Sequence, residues 1–307
     1  MMMAVNTLLD PAKFRDPLRT AKGEPRAQVG LTRLETLWFN TGTLCNLTCA
    51  NCYIESSPKN DALVYLSYGE VMGFLDEIAQ HGLPTREIGF TGGEPFMNPD
   101  MIAILRDTLA RGFEVLVLTN AMRPMRRFEA ELAALPREGL TLRVSLDHYT
   151  AAVHDAERGE GAFAKAMDGL RWLMANGFSV AVAGRHLADD DDAAARAGYG
   201  ALFAGEGLTC PPLVLFPEMD ARADVPEIST GCWEILGTTP EAQMCATSRM
   251  VVRRRGEAAA KVLACTLIAY DPAFEMGTTL AAAQGAVALN HPHCARFCVL
   301  GGASCSG

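Results

Sequence analysis

Three cysteines lie within eight residues in the stretch Thr41 to Tyr53. Cys45, Cys49 and Cys52 have the spacing C-x3-C-x2-C. A structural zinc site normally takes four protein ligands, and an iron-sulfur cluster takes four cysteine thiolates when every iron is closed. Three local thiols therefore indicate a 4Fe-4S cluster with one iron left open for chemistry. The alternatives are a three-thiol zinc site and thiols that simply pack in a core.

The residues of this triplet resemble the radical S-adenosylmethionine (SAM) superfamily, whose signature is C-x3-C-x2-C with an aromatic residue beside the last cysteine. Tyr53 is that residue here. The resemblance implies that Cys45, Cys49 and Cys52 bind three irons, while the fourth iron chelates the amino and carboxylate groups of SAM. It also implies that SAM is cleaved reductively to methionine and a 5′-deoxyadenosyl radical, which takes a hydrogen atom from the substrate.

A second motif, Gly92-Gly93-Glu94-Pro95, follows the next predicted strand. It resembles the G-G-E-P motif of the same superfamily, which lies along the methionine part of SAM and helps to hold its amino group. Glycines let the backbone approach a ligand closely, and a carboxylate or a carbonyl satisfies an ammonium group. A loop without a binding role is the alternative for this motif taken by itself.

Polar residues also end the next two predicted strands. Asn120, in a Thr-Asn pair, resembles part of the superfamily's T-N-G motif, with Ala121 where glycine is usual. Alanine resists the positive φ that glycine adopts freely, so this departure bears on the local turn. The V-S-L-D segment at 144–147 also has a counterpart there, which implies that Ser145 reaches the ribose or carboxylate of SAM and that Asp147 faces the substrate cavity. The alternative is that these residues cap the following helices.

Arg158 lies in the stretch His-Asp-x-x-Arg-Gly at 154–159. This stretch resembles one that is common in peptide-modifying members of the superfamily. The resemblance implies that Arg158 pairs with the SAM carboxylate in the bidentate geometry that a guanidinium favours. A solvent-exposed arginine is the alternative.

Seven of the ten cysteines follow Thr209, and none lies between Tyr53 and Thr209. In a large intracellular protein such cysteines are better interpreted as metal ligands than as disulfides. The later ones resemble the SPASM and Twitch auxiliary-cluster extensions of radical SAM proteins. Two closed clusters need eight thiols, so one auxiliary 4Fe-4S cluster is predicted, with zinc as the alternative. Its expected ligands are Cys245 and Cys265 with others from Cys294, Cys298 and Cys305, while Cys232 is left open and Cys210 is assigned to the core.

Six predicted strands alternate with helices between residues 34 and 217. This order implies a parallel sheet with right-handed crossovers, and six units are too few for a closed eight-stranded barrel. The predicted fold is therefore α/β, a partial (β/α)6 TIM-like barrel, which the resemblance also implies. An N-terminal arm at 1–33 is expected to cover one end of the barrel or core. A small Cys-rich metal-binding domain is predicted at 218–307, with a hairpin that pairs 249–253 with 261–264.

The composition limits the remaining functions. Hydrophobic residues make up 49% and charged residues 21%, as in globular proteins. The net charge is −9, with no long basic run for nucleic-acid binding. No apolar run is long enough to span a membrane, and residues 1–30 do not read as a secretory signal. A cytoplasmic protein without nucleic-acid or membrane partners is predicted.

Together these features predict a radical SAM enzyme that modifies a peptide or a protein. Its expected cofactors are the three-cysteine 4Fe-4S cluster, SAM and an auxiliary 4Fe-4S cluster, and an electron donor of flavodoxin or ferredoxin type is expected as a partner. Oxidation or rearrangement of a small molecule is one alternative. A non-catalytic iron-sulfur or zinc protein is the other.

Overall fold

The structure, a computed structural model, describes residues 8–186, 191–217 and 223–302. The strands in these residues are β1 (Gln28–Val29), β2 (Thr36–Asn40), β3 (Glu87–Thr91), β4 (Glu114–Thr119), β5 (Leu140–Ser145), β6 (Ser179–Arg185), β7 (Leu213–Phe216), β8 (Ser248–Val252), β9 (Lys261–Leu263), β10 (Glu275–Gly277) and β11 (Val287–Ala288). The α-helices are α1 (Tyr68–His81), α2 (Met101–Ala110), α3 (Arg123–Arg126), α4 (Glu129–Ala133), α5 (Ala151–Arg158), α6 (Ala162–Ala175), α7 (Asp192–Gly205) and α8 (Cys232–Leu236). Short 3₁₀ turns and a π-helix at Cys294–Val299 complete the secondary structure of the described residues.

Strands β2 to β7 lie side by side in chain order, and each pair of neighbours is parallel. Helices connect them, so each unit is a strand, a crossover helix and a parallel strand. The six strands are those that the sequence predicts, and the partial (β/α)6 barrel is confirmed. Because all six run the same way, their carboxyl ends meet at one edge of the sheet.

Alternation along β2 explains how the sheet separates two apolar layers. Leu37 and Phe39 belong to the large core between the sheet and the helices, whereas Trp38 belongs to a second cluster on the opposite face. All five residues of β2 are buried, as expected for a parallel strand covered on both faces. Gly89 on β3 makes room for the indole, since a Cβ there would overlap the Trp38 ring.

The predicted hairpin near the C-terminus is confirmed, and it extends the barrel sheet. Strand β8 pairs antiparallel with β9 and parallel with β2, so the sheet order is β10-β9-β8-β2-β3-β4-β5-β6-β7. The sheet therefore runs across the predicted boundary at residue 217, because β2 had a free edge that β8 covers. Division of the chain into three segments stays a prediction.

The described part of the N-terminal arm packs against the segment after residue 223. Arg26 forms a buried ion pair with Glu227 at 2.5 Å, and the Ala27 N–H donates to the Ile228 carbonyl at 2.9 Å. Strand β1 pairs with β11. Phe14 of the arm packs in an apolar cluster that includes Val225 and Ile228 of the C-terminal segment. The arm thus covers the C-terminal segment.

Helix α1 shows how local sequence defines an element. Ser67 and Glu70 form a reciprocal capping box at its start, and Gly82 ends it with a left-handed backbone at φ 58°. Its apolar residues face the core at helical spacing. None of the helices in the described ranges has the length and apolarity that a membrane crossing requires.

Candidate active site

A cavity of about 160 Å³ opens at the carboxyl edge of the parallel strands. Its wall contains the three thiols of the triplet, Cys45, Cys49 and Cys52. The strand ends and loops that follow β2 to β7 supply most of the remaining wall, as the predicted barrel requires. The residues predicted to bind the cofactor that line this cavity are Tyr53, Gly92, Gly93, Asn120, Ser145 and Arg158.

Backbone amides point at two of the three sulfurs. The Leu47 N–H donates to Cys45 Sγ at 3.4 Å, and the Ser56 N–H donates to Cys52 Sγ at 3.2 Å. Burial raises the pKa of Cys45 to about 12 and also raises the pKa of Cys49, because a thiolate loses its solvation there. These thiols stay protonated unless a metal takes the place of the proton, so metal binding here must release protons.

Gly92 and Gly93 bring the loop after β3 into backbone contact with the triplet loop. A Cβ on Gly93 would overlap the carbonyl oxygen of Leu44. A Cβ on Gly92, whose φ is 129°, would lie 2.5 Å from the carbonyl oxygen of Gly42. The Gly93 N–H donates to that same oxygen at 2.8 Å. The glycine pair therefore positions the chain that leads directly into Cys45.

Glu94 and Pro95 are buried behind the cavity wall. The Glu94 carboxylate accepts hydrogen bonds from Thr119 Oγ1 at 2.8 Å, from the Asn120 N–H at 2.8 Å and from the Phe96 N–H at 3.2 Å. Burial raises the pKa of Glu94 to about 7, and these hydrogen bonds offset part of the effect. The carboxylate thus joins the loop after β3 to the end of β4, and its contact with the amino group of SAM stays a prediction.

Replacing Glu94 by glutamine is expected to lower the free energy of unfolding by about 1–3 kcal/mol, since the amide nitrogen takes the place of one carboxylate oxygen and leaves a buried donor without an acceptor. Urea unfolding at pH 8 measures this difference. Glu129→Gln is the matched control, because Glu129 pairs with Arg126 at a half-exposed position. Its effect should stay below about 1 kcal/mol. Equal effects of the two substitutions would contradict the role given to Glu94.

Asn120 also contacts the triplet loop, through a bond from its Nδ2 to Asn46 Oδ1 at 2.9 Å. Ala121 next to it has φ 56°, so the left-handed turn forms although glycine is absent. That conformation costs an alanine about 1 kcal/mol, and the surrounding contacts must offset it. Gly169 of α6 is one reason that it fits, because a Cβ there would overlap the Ala121 carbonyl oxygen.

Asp147 and Arg158 form a bidentate ion pair in the cavity wall. Arg158 Nε donates to Asp147 Oδ2 at 2.6 Å, and Nη2 donates to Oδ1 at 2.9 Å. Burial would raise the pKa of Asp147, but Arg158 and Arg185 together hold it below its usual value. The fork that was expected to face the SAM carboxylate therefore faces Asp147 in this structure, and contact of Arg158 with SAM stays a prediction. Ser145 lines the same cavity.

Asp147→Asn is expected to lower the free energy of unfolding at pH 7 by about 3–5 kcal/mol, because two buried guanidiniums lose their counter-charge. The folded pKa of Asp147 lies below the unfolded one, so the pair stabilises the protein fully above about pH 4 and loses this contribution as pH falls through the folded pKa. Urea unfolding of both proteins between pH 3 and 7 measures the difference, which should shrink only at the acid end.

Asp168→Asn is the control for that experiment. Asp168 also pairs with an arginine, Arg126, but its side chain is 68% exposed. The expected loss is at most about 1 kcal/mol. A loss for Asp147→Asn no larger than for Asp168→Asn would contradict the role of the buried pair.

Arg185, at the carboxyl end of β6, is a site residue that sequence reasoning missed. Its Nη1 donates to the carbonyl of Asn51 at 2.5 Å, and its Nε lies 3.3 Å from Asp147 Oδ1. The guanidinium carbon lies 4.6 Å from the centroid of the Tyr53 ring. An arginine ending an otherwise apolar strand was the available signal.

Helix α5, which the sequence did not predict as an element, holds the triplet loop from the other side. Asn51 Nδ2 donates to both carboxylate oxygens of Glu157 at 3.1 Å. The Ala50 N–H donates to the Glu157 carbonyl at 2.8 Å. Both residues between Cys49 and Cys52 are thereby fixed by the last turn of α5.

Aromatic side chains form the far wall of the cavity. The ring of Tyr53 makes an edge contact with Phe216 at a centroid separation of 6.4 Å and another with Phe297 at 6.0 Å. Phe297 belongs to the π-helix Cys294–Val299, and Thr266, which follows Cys265, also lines the cavity. The C-terminal segment therefore closes one side of the barrel cavity. No pattern within the sequence indicated this.

A second, smaller cavity lies in the C-terminal segment. Four of the predicted auxiliary ligands line it, namely Cys245, Cys265, Cys294 and Cys298. Cys232 packs near this site without lining its wall. Cys305 lies outside the described residues. The expectation that Cys210 belongs to the core was wrong, because the residue is exposed: it precedes β7 at the surface, where no apolar layer covers it.

The sequence is similar to those of known proteins. The family model of the radical SAM superfamily matches residues 39–192, half of the chain. The antilisterial bacteriocin subtilosin biosynthesis protein AlbA of Bacillus subtilis is 37% identical over 140 residues, which are 45% of this chain and 30% of AlbA. The mycofactocin maturase MftC of Mycobacterium ulcerans is 37% identical over 163 residues, 51% of this chain and 42% of MftC.

The fold has a counterpart in the crystal structure of Streptococcus suis SuiB bound to SAM. The TM-score is 0.59 at 11% sequence identity, over 80% of this chain and 63% of SuiB. The chain spans less than half the length of AlbA and MftC, at 30% and 42%. With the cysteine triplet in the wall of a barrel cavity and half of the sequence matching the family, the chain belongs to the radical SAM superfamily.

Proposed function

We propose that this protein is a radical SAM enzyme that cleaves SAM reductively and modifies a peptide or a protein. The observation that carries the proposal is the convergence of Cys45, Cys49 and Cys52 on one cavity at the carboxyl edge of the barrel. Three cysteines that lay far apart in the cavity wall, or that faced the core, would not support the proposal.

The residues present fit a 4Fe-4S cluster held by three thiols. Two sulfurs accept backbone N–H groups, which is a common way to stabilise charge on cluster ligands. When bound and reduced, such a cluster supplies one electron to the sulfonium of SAM, which gives methionine and a 5′-deoxyadenosyl radical able to take a hydrogen atom from an unactivated carbon. The chain's own contribution is to bind and orient the reactants and to exclude water.

The backbone of Gly92 and Gly93 and the side chains of Asn120 and Ser145 are our candidates for SAM contacts, because they line the cavity next to the triplet. Glu94 positions this set from behind through its three hydrogen bonds. Arg158 also brings positive charge to this cavity. Its Nε and Nη2 atoms bond to Asp147, so only Nη1 is available to the SAM carboxylate while that ion pair is kept.

The second cavity supports an auxiliary 4Fe-4S cluster. Four thiols line it, and the rest of its wall is mainly apolar. The Leu267 N–H donates to Cys265 Sγ at 3.4 Å, as in the triplet loop. Burial raises the pKa of Cys245 to about 12, so a metal is needed to hold this thiol as a thiolate. Oxidoreductase chemistry, in which this cluster accepts an electron from the substrate, is part of the proposal.

The relatives favour a peptide as the substrate. A bacteriocin biosynthesis protein and a maturase both match this chain at 37% identity. The aromatic wall around Phe216 offers an apolar side chain a place next to the triplet. An electron donor of flavodoxin or ferredoxin type is the proposed partner for reduction.

The test is to incubate the anaerobically reconstituted and reduced protein with SAM and to measure 5′-deoxyadenosine by liquid chromatography. We expect product above a control without reductant. A protein with confirmed iron that forms none would refute the enzyme proposal. Adding a precursor peptide encoded beside the gene should give a mass change in that peptide. SAM cleavage with modification of a small molecule in place of such a peptide would refute only the substrate class.

A further inference from the structure

His293 lies in the wall of the second cavity, beside the four thiols. Its Nδ1 atom is buried and has no hydrogen-bond partner among the described residues. A buried polar atom without a partner costs free energy, so such an atom in a cavity wall points to a ligand that the cavity takes up.

The other ring nitrogen of His293 is already occupied. The ring is hydrogen-bonded to the backbone of Leu267, and since Nδ1 is unpartnered the bond belongs to Nε2. An Nε2–H that donates to a backbone carbonyl fixes the tautomer in which Nδ1 carries the lone pair. A metal-binding histidine is typically held in this way, with its second nitrogen donating to a backbone carbonyl.

Three of the thiols, Cys245, Cys265 and Cys294, line the same cavity wall as His293. Cys298 also lines the cavity, and it is the competing candidate for the fourth protein ligand. A cluster with four protein ligands needs one donor beyond the three thiols.

We propose that His293 binds the auxiliary cluster through Nδ1 and completes a set of Cys245, Cys265 and Cys294. This inference rests on the auxiliary cluster of the proposed function and assigns its fourth ligand. Binding then releases one proton from each of three thiols and none from the imidazole. A neutral imidazole in place of an anionic thiolate leaves the cluster with one negative charge fewer, so its reduction potential is higher than that of an all-cysteine cluster.

The test uses pulsed electron paramagnetic resonance on the full chain carrying Cys45→Ala, Cys49→Ala and Cys52→Ala, in which only the auxiliary cluster remains. The protein is produced with ¹⁵N-labelled histidine and reduced. We expect a strong coupling from a directly bound histidine nitrogen. The same measurement can be made on the labelled, unsubstituted protein without SAM. The triplet cluster has only cysteine ligands, so a coupling from a bound histidine nitrogen there also belongs to the auxiliary cluster.

Substitutions then assign the nitrogen. His293→Cys should remove the nitrogen coupling, keep about four irons in the triplet-free protein and lower the reduction potential. His291→Gln is the matched control, since His291 is an imidazole two residues away, its ring 4.5 Å from that of His293, and does not line the cavity. It should leave the coupling and the potential unchanged.

Two results would overturn the assignment. A cluster without histidine nitrogen coupling that is lost in Cys298→Ala would have Cys298 as its fourth ligand. A triplet-free protein without iron would remove both the auxiliary cluster and the role of His293. In either case 5′-deoxyadenosine formation by the unsubstituted protein still decides separately whether SAM is cleaved.

Discussion

Replacing Cys45, Cys49 and Cys52 by alanine is expected to reduce 5′-deoxyadenosine formation to the level of a control without protein, and to leave about four irons per chain. The three thiols are the donors that the barrel cavity offers to a cluster, and no reductive cleavage is expected without one. The four thiols of the second cavity are untouched, so the iron that remains belongs to that site.

Iron and sulfide are counted in both proteins under anaerobic conditions, and zinc is measured in the same samples. Cys210→Ala is the matched cysteine control, because Cys210 is exposed and lines neither cavity. It should match the unsubstituted protein in iron and in product. Undiminished 5′-deoxyadenosine in the triple variant would refute the assignment of the triplet, and zinc in place of the remaining iron would refute the auxiliary cluster.

Gly93→Ala is expected to lower the rate of 5′-deoxyadenosine formation by about 100-fold or more. The new Cβ would overlap the carbonyl oxygen of Leu44, a backbone atom that cannot rotate away. The triplet loop must therefore shift next to Cys45, and a displacement of about 1 Å at a reacting centre typically costs that much. Overpacking should also lower the free energy of unfolding by about 1–3 kcal/mol.

Single-turnover product formation and urea unfolding measure the two effects. Gly73→Ala is the control with the opposite sign, because Gly73 is exposed in α1 and nothing lies within 4 Å of its Cβ position. Alanine there should raise the free energy of unfolding by about 0.5–1 kcal/mol and leave the rate unchanged. A fully active Gly93→Ala protein would show that the glycine is not needed to position the loop.

Several features of the fold follow from short stretches of sequence. The six parallel strands lie where runs of apolar residues predicted them, since a strand buried on both faces needs such a run. Helix α1 begins and ends at a capping box and a glycine that are visible in the sequence. The order of strands then brought the triplet, the Gly92-Gly93 pair and Asn120 to one edge.

Other features depended on contacts between distant parts of the chain. Arg185 meets Asn51 and Asp147 only because β6 pairs with β5 and the carboxyl end of β6 reaches the triplet loop. Glu94 belongs to the Gly-Gly-Glu-Pro motif, yet its carboxylate accepts hydrogen bonds from Thr119 at the end of β4 and from Asn120. The sequence does not say which partner a carboxylate will find when several donors lie within reach of a buried position.

By itself, the sequence determined the kind of chemistry and the architecture, because the ligand spacing of the triplet and the alternation of strands and helices are local patterns. Only the tertiary structure decided that β8 continues the barrel sheet, that Phe297 closes the first cavity, and that His293 shares the second cavity with four thiols. The physical reason is that these contacts join residues separated by long stretches of chain, and sheet pairing and side-chain packing, not sequence spacing, set their distances.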